Sequence, residues 1–208
     1  MHPHLKKLIE KGEGETLDYK QEISSASKIA KTMSSFANHK GGVLLVGIRD
    51  NQTIAGVRSD EEKYMLDLAA GFYLEPRIEI EMKEWVHDGK TVIECIVPQG
   101  KNKPYYAKDE DGKLWAYIRV KDQSLLASKI VLDVLKNQGS GRSSMIKFTR
   151  HEEILLAHLR ENDRIRIQEF CQLANISKRR ASRILVNLIG AGIIRNHTTE
   201  KAEYYTLS

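Results

Sequence analysis

The stretch FANHKGGVLLVGIRDNQTIAGV, Phe36 to Val57, decides the fold of the first half of this chain. Its first residues end an amphipathic segment, and Asn38 with the pair Gly41-Gly42 supplies a reversal. GGVLLVGI, Gly41 to Ile48, is then a short apolar run, too short for a helix, which predicts a buried strand. Arg49 to Thr53 reads as a turn into Ile54–Val57, so the whole is expected to be a hairpin. Fold accounts for the glycines. Asp50, at the strand end, is either a plain turn residue or a side chain placed there for chemistry.

Working outward, HLKKLIEKG reads as a short helix and TLDYKQEI, which alternates, as a strand. Ser24, Ser25 and Ser27 are cap candidates for a helix running to about Asn38, with Ile29, Met33 and Phe36 on its buried face. A helix over Asp60 to Phe72 follows, then strands near Arg77–Val86 and Thr91–Val97 joined by His87-Asp88-Gly89-Lys90. Tyr105-Tyr106 and Leu114–Val120 form a further hairpin around DEDGK, and Ser124 to about Lys136 closes the region as a helix. Mixed strands and helices with several hairpins make the class α+β.

The chain has 208 residues, 41% hydrophobic and 29% charged, enough for two cores. The segment NQGSGRSS, where apolar periodicity stops, places a linker at residues 139–145 between domains at 1–138 and 146–208. No apolar run reaches the roughly 18 residues of a membrane span, and the start lacks a signal peptide, so a cytoplasmic protein with no membrane partner is expected. Cys95 and Cys171 lie far apart in amphipathic segments, as small buried hydrophobes do, and suggest neither a disulfide framework nor a metal cluster. The seven histidines lack ligand spacing; His2 and His4 share only the chain start and His39 sits in a turn. No Gly-x-x-x-x-Gly-Lys-[Ser/Thr] occurs, and Gly41-Gly42 leads into an apolar run rather than a helix, so the mechanism for cradling ATP phosphates is missing.

The net charge is +5, and its position carries more than its size. From Lys147 onward there are 11 lysines and arginines against 7 acids, so most of the excess lies in the last third. There, Thr149 with Glu152 can form a capping box for a helix to Leu159. Arg166–Leu173 makes a second helix, and ISKRRASRILVNLIGAGII a third, starting after Ser177. IIRNHT and AEYYTL then make a hairpin. The run S-K-R-R-A-S-R-I-L-x-x-L-x-x-A-G-I-I followed by Y-Y-T-L resembles the winged helix-turn-helix superfamily over about 60 residues. Lys178, Arg179, Arg180, Ser182 and Arg183 crowd the first turns of the third helix, where they could meet phosphates and guanine edges of double-stranded DNA. Arg195, His197 and Lys201 would add wing contacts. The alternatives are a solvated basic helix end or a surface for protein contacts.

The segments GEGETLDYK, IAKTMSSFANHKGGVLLVGIRDNQTIAGV, PQGKNKPYYAKD and AYIRVKDQS, in that order, resemble the Schlafen AlbA-like domain, over about residues 10 to 136. The resemblance implies an N-terminal Schlafen AlbA-like mixed domain, often joined in bacteria to a winged-helix domain in DNA-binding transcriptional regulators. It also implies an alternative. The ribonuclease members use three carboxylates to hold a divalent metal for cleaving transfer and ribosomal RNA, two of them in a Glu-x-x-x-x-Glu-x-Lys pattern. Glu13, Asp18 and Lys20 meet that spacing with one Glu shortened to Asp, Glu15 lies nearby, and Asp50 is the third acid. Under that reading the chain is an endoribonuclease with Mg²⁺ or Mn²⁺ as cofactor and structured RNA as partner. Otherwise no cofactor is called for. The ribonuclease core, like two such domains side by side, and the winged helix both point to a homodimer.

Overall fold

The structure, a computed structural model, describes residues 1–139 and 149–208. They form two compact units, Met1–Ala127 and Ser128–Ser208. The class is α+β, and among the described residues no helix is long and apolar enough to cross a membrane.

The first unit is organised around one helix, α2 (Ala26–Asn38), capped by the Ser25 hydroxyl, which accepts from the Lys28 amide. Nearly every α2 residue is buried, polar ones included, because two sheets and α3 (Ser59–Gly71) close on it. Its many Ala and Ser residues keep the cylinder thin, and a helix apolar on most of its circumference belongs in a core. One sheet has the order β1-β2-β5-β4, from β1 (Leu17–Lys20), β2 (Gly42–Val46), β4 (Glu81–His87) and β5 (Lys90–Val97). β1 and β2 are parallel and the other pairs antiparallel. The other sheet, β3-β6-β7-β8, is antiparallel and built from β3 (Leu74–Glu75), β6 (Tyr106–Lys108), β7 (Leu114–Val120) and β8 (Gln123–Leu126).

The opening apolar run is covered on both faces, as its pattern requires. Leu44 and Val46 pack under α2, while Leu45 and Ile48 face α1 (Pro3–Lys11) together with Leu5, Ile9, Leu17, Tyr19 and Val92. The reversal before it needs glycine for two reasons. Gly41 has φ +78, and a Cβ on Gly42 would lie 2.6 Å from the Phe36 ring. The hairpin expected after it is reduced to a single bridge, Ile48 to Ile54, because β2 is already paired on both edges, by β1 and β5.

Asn38 does more than end a helix. Its amide nitrogen donates to the carbonyls of Tyr105 (2.8 Å) and Tyr117 (2.9 Å), and its Oδ1 accepts from the Tyr105 amide (2.7 Å). This buried side chain therefore ties α2 to β7 and to the residue that leads into β6. The chain start is ordered too: His4 meets the buried Glu94 carboxylate at 3.0 Å, which also accepts from Trp85 Nε1 at 2.8 Å.

The second unit starts earlier than the linker position suggested. The residues expected to form a helix from Ser124 instead give β8 and then α4 (Lys129–Gly139), capped by Ser128. α4 packs on α7 (Lys178–Gly190), with Ile130 and Val134 in the second core, so the division falls at Ala127 rather than at 138. Of the expected linker, residues 140–145 lie outside the described residues. α5 (Arg150–Glu161) has the expected capping box of Thr149 and Glu152, α6 (Ile167–Ala174) follows, and α7 starts at the Ser177 cap. β9 (Ile194–Thr198) and β10 (Glu203–Leu207) form the terminal antiparallel hairpin, which Tyr205 pins to Ile165 between α5 and α6.

Candidate nucleic-acid interface and the acidic loop

The acids proposed to hold a metal are placed by β1, the edge strand of its sheet. Side chains alternate along it, so Leu17 and Tyr19 enter the α1 core while Asp18 turns towards α2. Asp18 is 4% exposed and both its oxygens are engaged. Arg119 Nη2 donates to Oδ1 at 2.8 Å, and Lys20 Nζ pairs with Oδ2. Arg119 comes from β7 and is itself buried, its guanidinium over the Phe36 ring at 4.9 Å. It also donates to the carbonyls of Gly14 (3.0 Å) and Leu17 (3.2 Å) and to Ser124 Oγ (3.2 Å).

Glu13 has a different task. Its Oε1 accepts from the Tyr19 amide at 2.7 Å, while the Gly14 amide donates back to Leu17. The acidic loop and Arg119 thus satisfy the outer edge of β1, whose main-chain groups would otherwise invite another strand. Glu15 reaches His39 and Lys40 in the turn before β2. Asp50 is exposed on the turn beyond β2.

The three carboxylates are therefore not brought together. Among the described residues no group of three or more His, Cys, Asp or Glu could hold a metal ion. The metal reading of Glu13, Asp18 and Asp50 does not fit: a divalent ion needs free, convergent carboxylate oxygens, and here cations hold both oxygens of Asp18, an amide holds one of Glu13, and Asp50 stands on an exposed turn outside any such group. Lys20, expected to offset phosphate charge, offsets Asp18. Arg119 is the residue that sequence reasoning missed. Its signal was a lone cation in the otherwise apolar strand LWAYIRV, which cannot be buried without a partner.

The basic candidates gather on the second unit. Ala181, Ile184, Leu185 and Leu188 point α7 into its core. At 100° per residue, Arg179 and Arg183 then form the ridge on the opposite side, both exposed. Lys178, Arg179, Arg183, Arg195 and Lys201 make no ion pair among the described residues. Arg180 Nη2 lies 3.5 Å from His151 Nδ1. The Ser182 hydroxyl donates to the Lys178 carbonyl at 2.8 Å, and Ser182 lines a groove against α4 together with Lys178, Arg179, Arg183 and Val186, with Asp133 of α4 on its other wall. On the outer face of the hairpin, His197 stacks on Tyr204 at 4.9 Å and meets Thr206 Oγ1 at 3.0 Å, with Arg195 beside it and Lys201 at the turn.

No curated protein matches this chain. Two solved structures resemble it weakly. The DIP2311 protein from Corynebacterium diphtheriae is 18% identical over 65% of this chain with a TM-score of 0.45, and this chain spans 30% of that protein's length. The N-terminal domain of an ATP-dependent DNA helicase RecG-related protein from Nitrosomonas europaea is 23% identical with a TM-score of 0.44, over 60% of this chain and 95% of that domain. The family comparison is the informative one, because it matches residues 13–128, most of the first unit and more than half of the chain. By that match the chain belongs to the Schlafen, AlbA_2 family.

Proposed function

We propose that the protein binds double-stranded DNA through its second unit, read as a winged helix-turn-helix, and acts as a transcriptional regulator. α6 and α7 supply the helix-turn-helix, α7 the recognition helix, and β9-β10 the wing. The observation that carries the reading is the cation-rich start of α7, where Lys178 and Arg179, with Arg183 one turn further on, stand exposed with no ion pair among the described residues. The positive end of a helix disfavours cations by about 0.3–1 kcal/mol each, so their concentration there calls for an external anion. A ridge formed by Arg179 and Arg183 fits a major groove, with Arg195 and Lys201 on neighbouring phosphates. The homodimer belongs to the same proposal, since a two-fold protein would read a two-fold site; a monomeric mass at micromolar concentration would count against it.

The test is duplex binding over a salt series with wild type and Arg179→Ala/Arg183→Ala. Each lost phosphate contact lowers the slope of log affinity against log salt by about 0.9, so the double variant should lose roughly 2. Unchanged affinity and slope would refute the reading. Total transfer RNA with Mn²⁺ and with chelator runs alongside, and metal-dependent cleavage there would instead favour the endoribonuclease.

A further inference from the structure

The second unit contains a cavity of about 540 Å³ where α4, α6, α7 and the hairpin turn meet. Four cations line it, Lys129, Arg166, Lys178 and Lys201, against two carboxylates, Glu169 and Glu203. Both carboxylates are already engaged. Glu169 Oε2 accepts from the Arg166 amide at 2.7 Å, and Glu203 Oε1 accepts from the Ser128 hydroxyl at 2.8 Å. None of the four cations forms an ion pair among the described residues.

We propose that this cavity is a phosphate-binding site. Like charges drawn from four separate elements repel one another across a concave surface, and a polyanion between them reverses the sign of that term. Two helix starts face the same space. α4 begins at Lys129 and α6 at Ile167, both lining residues, and the first-turn amides of a helix are donors without intrahelical acceptors. The volume falls within the range of about 300–1,000 Å³ typical of small-molecule sites. The ligand chemistry is a phosphate ester or polyphosphate, supplied either by a free phosphorylated small molecule or by the backbone of a bound duplex. Lys178 and Lys201 are shared with the proposed duplex surface and Lys129 also borders the groove lined by Arg179 and Arg183, whereas Arg166 belongs to the cavity alone. A free ligand held here would therefore compete with DNA.

The experiment titrates the full chain with tripolyphosphate by calorimetry in the absence of DNA, for wild type, Lys129→Ala/Arg166→Ala and Arg179→Ala/Arg183→Ala. Both cavity residues are exposed, so the first variant keeps its fold, checked by an unchanged melting temperature. Saturable binding weakened at least tenfold by Lys129→Ala/Arg166→Ala, and retained in Arg179→Ala/Arg183→Ala, is the result expected for a free ligand. If tripolyphosphate does not saturate but Lys129→Ala/Arg166→Ala lowers the salt slope of duplex binding, the phosphate is the backbone's. No saturation together with an unaltered duplex slope overturns the site. Failure of the duplex reading would show separately, as duplex binding indifferent to Arg179 and Arg183.

Discussion

Replacing Arg119 with Met should destabilise the first unit severely, and the structure sets the scale. The Arg119 side chain is 1% exposed and that of Asp18 6%, with 2.8 Å between Nη2 and Oδ1. Breaking a buried pair by removing one partner costs about 3–5 kcal/mol, because the remaining charge stays out of water. Met keeps the packing against Phe36 while deleting the charge and the donors, so the loss reports the pair rather than a cavity. For a unit of this size that corresponds to a fall in melting temperature of roughly 10–20 °C. The assay is urea unfolding followed by tryptophan fluorescence, because both tryptophans, Trp85 and Trp115, lie in the first unit and leave the second unit silent. Asp18→Asn should cost a similar amount by stranding the guanidinium, and combining it with Arg119→Met should recover about 2 kcal/mol of the summed loss. Additive single losses, each below about 1 kcal/mol, would refute this argument. Such a result would mean that Asp18 is solvated and its oxygens available for other chemistry. By the same reasoning, Asp18→Ala would harm the fold, so it cannot serve as a clean test of catalysis.

Three further outcomes are expected. Burial raises the pKa of Glu62 above its ordinary value of 4.5, partly offset by the bond from the Ile23 amide, with Glu61 and Glu22 adding to the rise. Its folded-state advantage is complete below 4.5 and is lost as pH rises through the raised value, leaving an ionised group that costs stability at pH 7. Glu62→Gln, which can still accept from Ile23, should therefore raise the melting temperature at pH 7 and leave it unchanged at pH 4; equal shifts at both would contradict this. Gly42→Ala should cost about 1–3 kcal/mol in the same urea assay, since its methyl would enter the Phe36 ring, and a neutral result would show that the ring moves freely. The Cys95 thiol is pushed up to about 12, mainly by burial with Asp67 adding, so iodoacetamide at pH 8 should label Cys171 in the folded protein and Cys95 only after unfolding. Mass mapping of labelled peptides decides it.

Local chemistry made much of this fold legible. Ser25, Thr149 with Glu152, and Ser177 cap helices where their types and spacing suggested, and His87 to Lys90 turns between β4 and β5. What failed was long-range. The hairpin after β2 is displaced because β1, some 25 residues earlier, takes one edge of β2 and β5 the other, and partner choice leaves no trace in a local pattern. α4 reads as an amphipathic helix from either side, and only its packing on α7 through Ile130 and Val134 assigns it to the second unit. The acidic loop follows the same rule. Spacing shows that Glu13 and Asp18 can approach a common point, but their partners, the Tyr19 amide and a guanidinium 101 residues away, are set by strand order.

These placements separate the two sets of candidate residues by what the fold asks of them. Removing Glu13 would strip an edge amide of its acceptor, and removing Asp18 would leave Arg119 buried without a counter-charge. Their side chains are thus accounted for by folding, with no external ligand needed. The cations of α7 are the reverse case. Arg179 and Arg183 form no ion pair among the described residues and lie opposite the apolar face of their helix, and Arg179 sits in the first turn, where the helix dipole disfavours it. Among the described residues no ion pair offsets that cost, and the proposed duplex phosphate would. Glu13 and Asp18 are thus explained from within the fold, and it is Arg179 and Arg183 on which the proposed duplex contact turns.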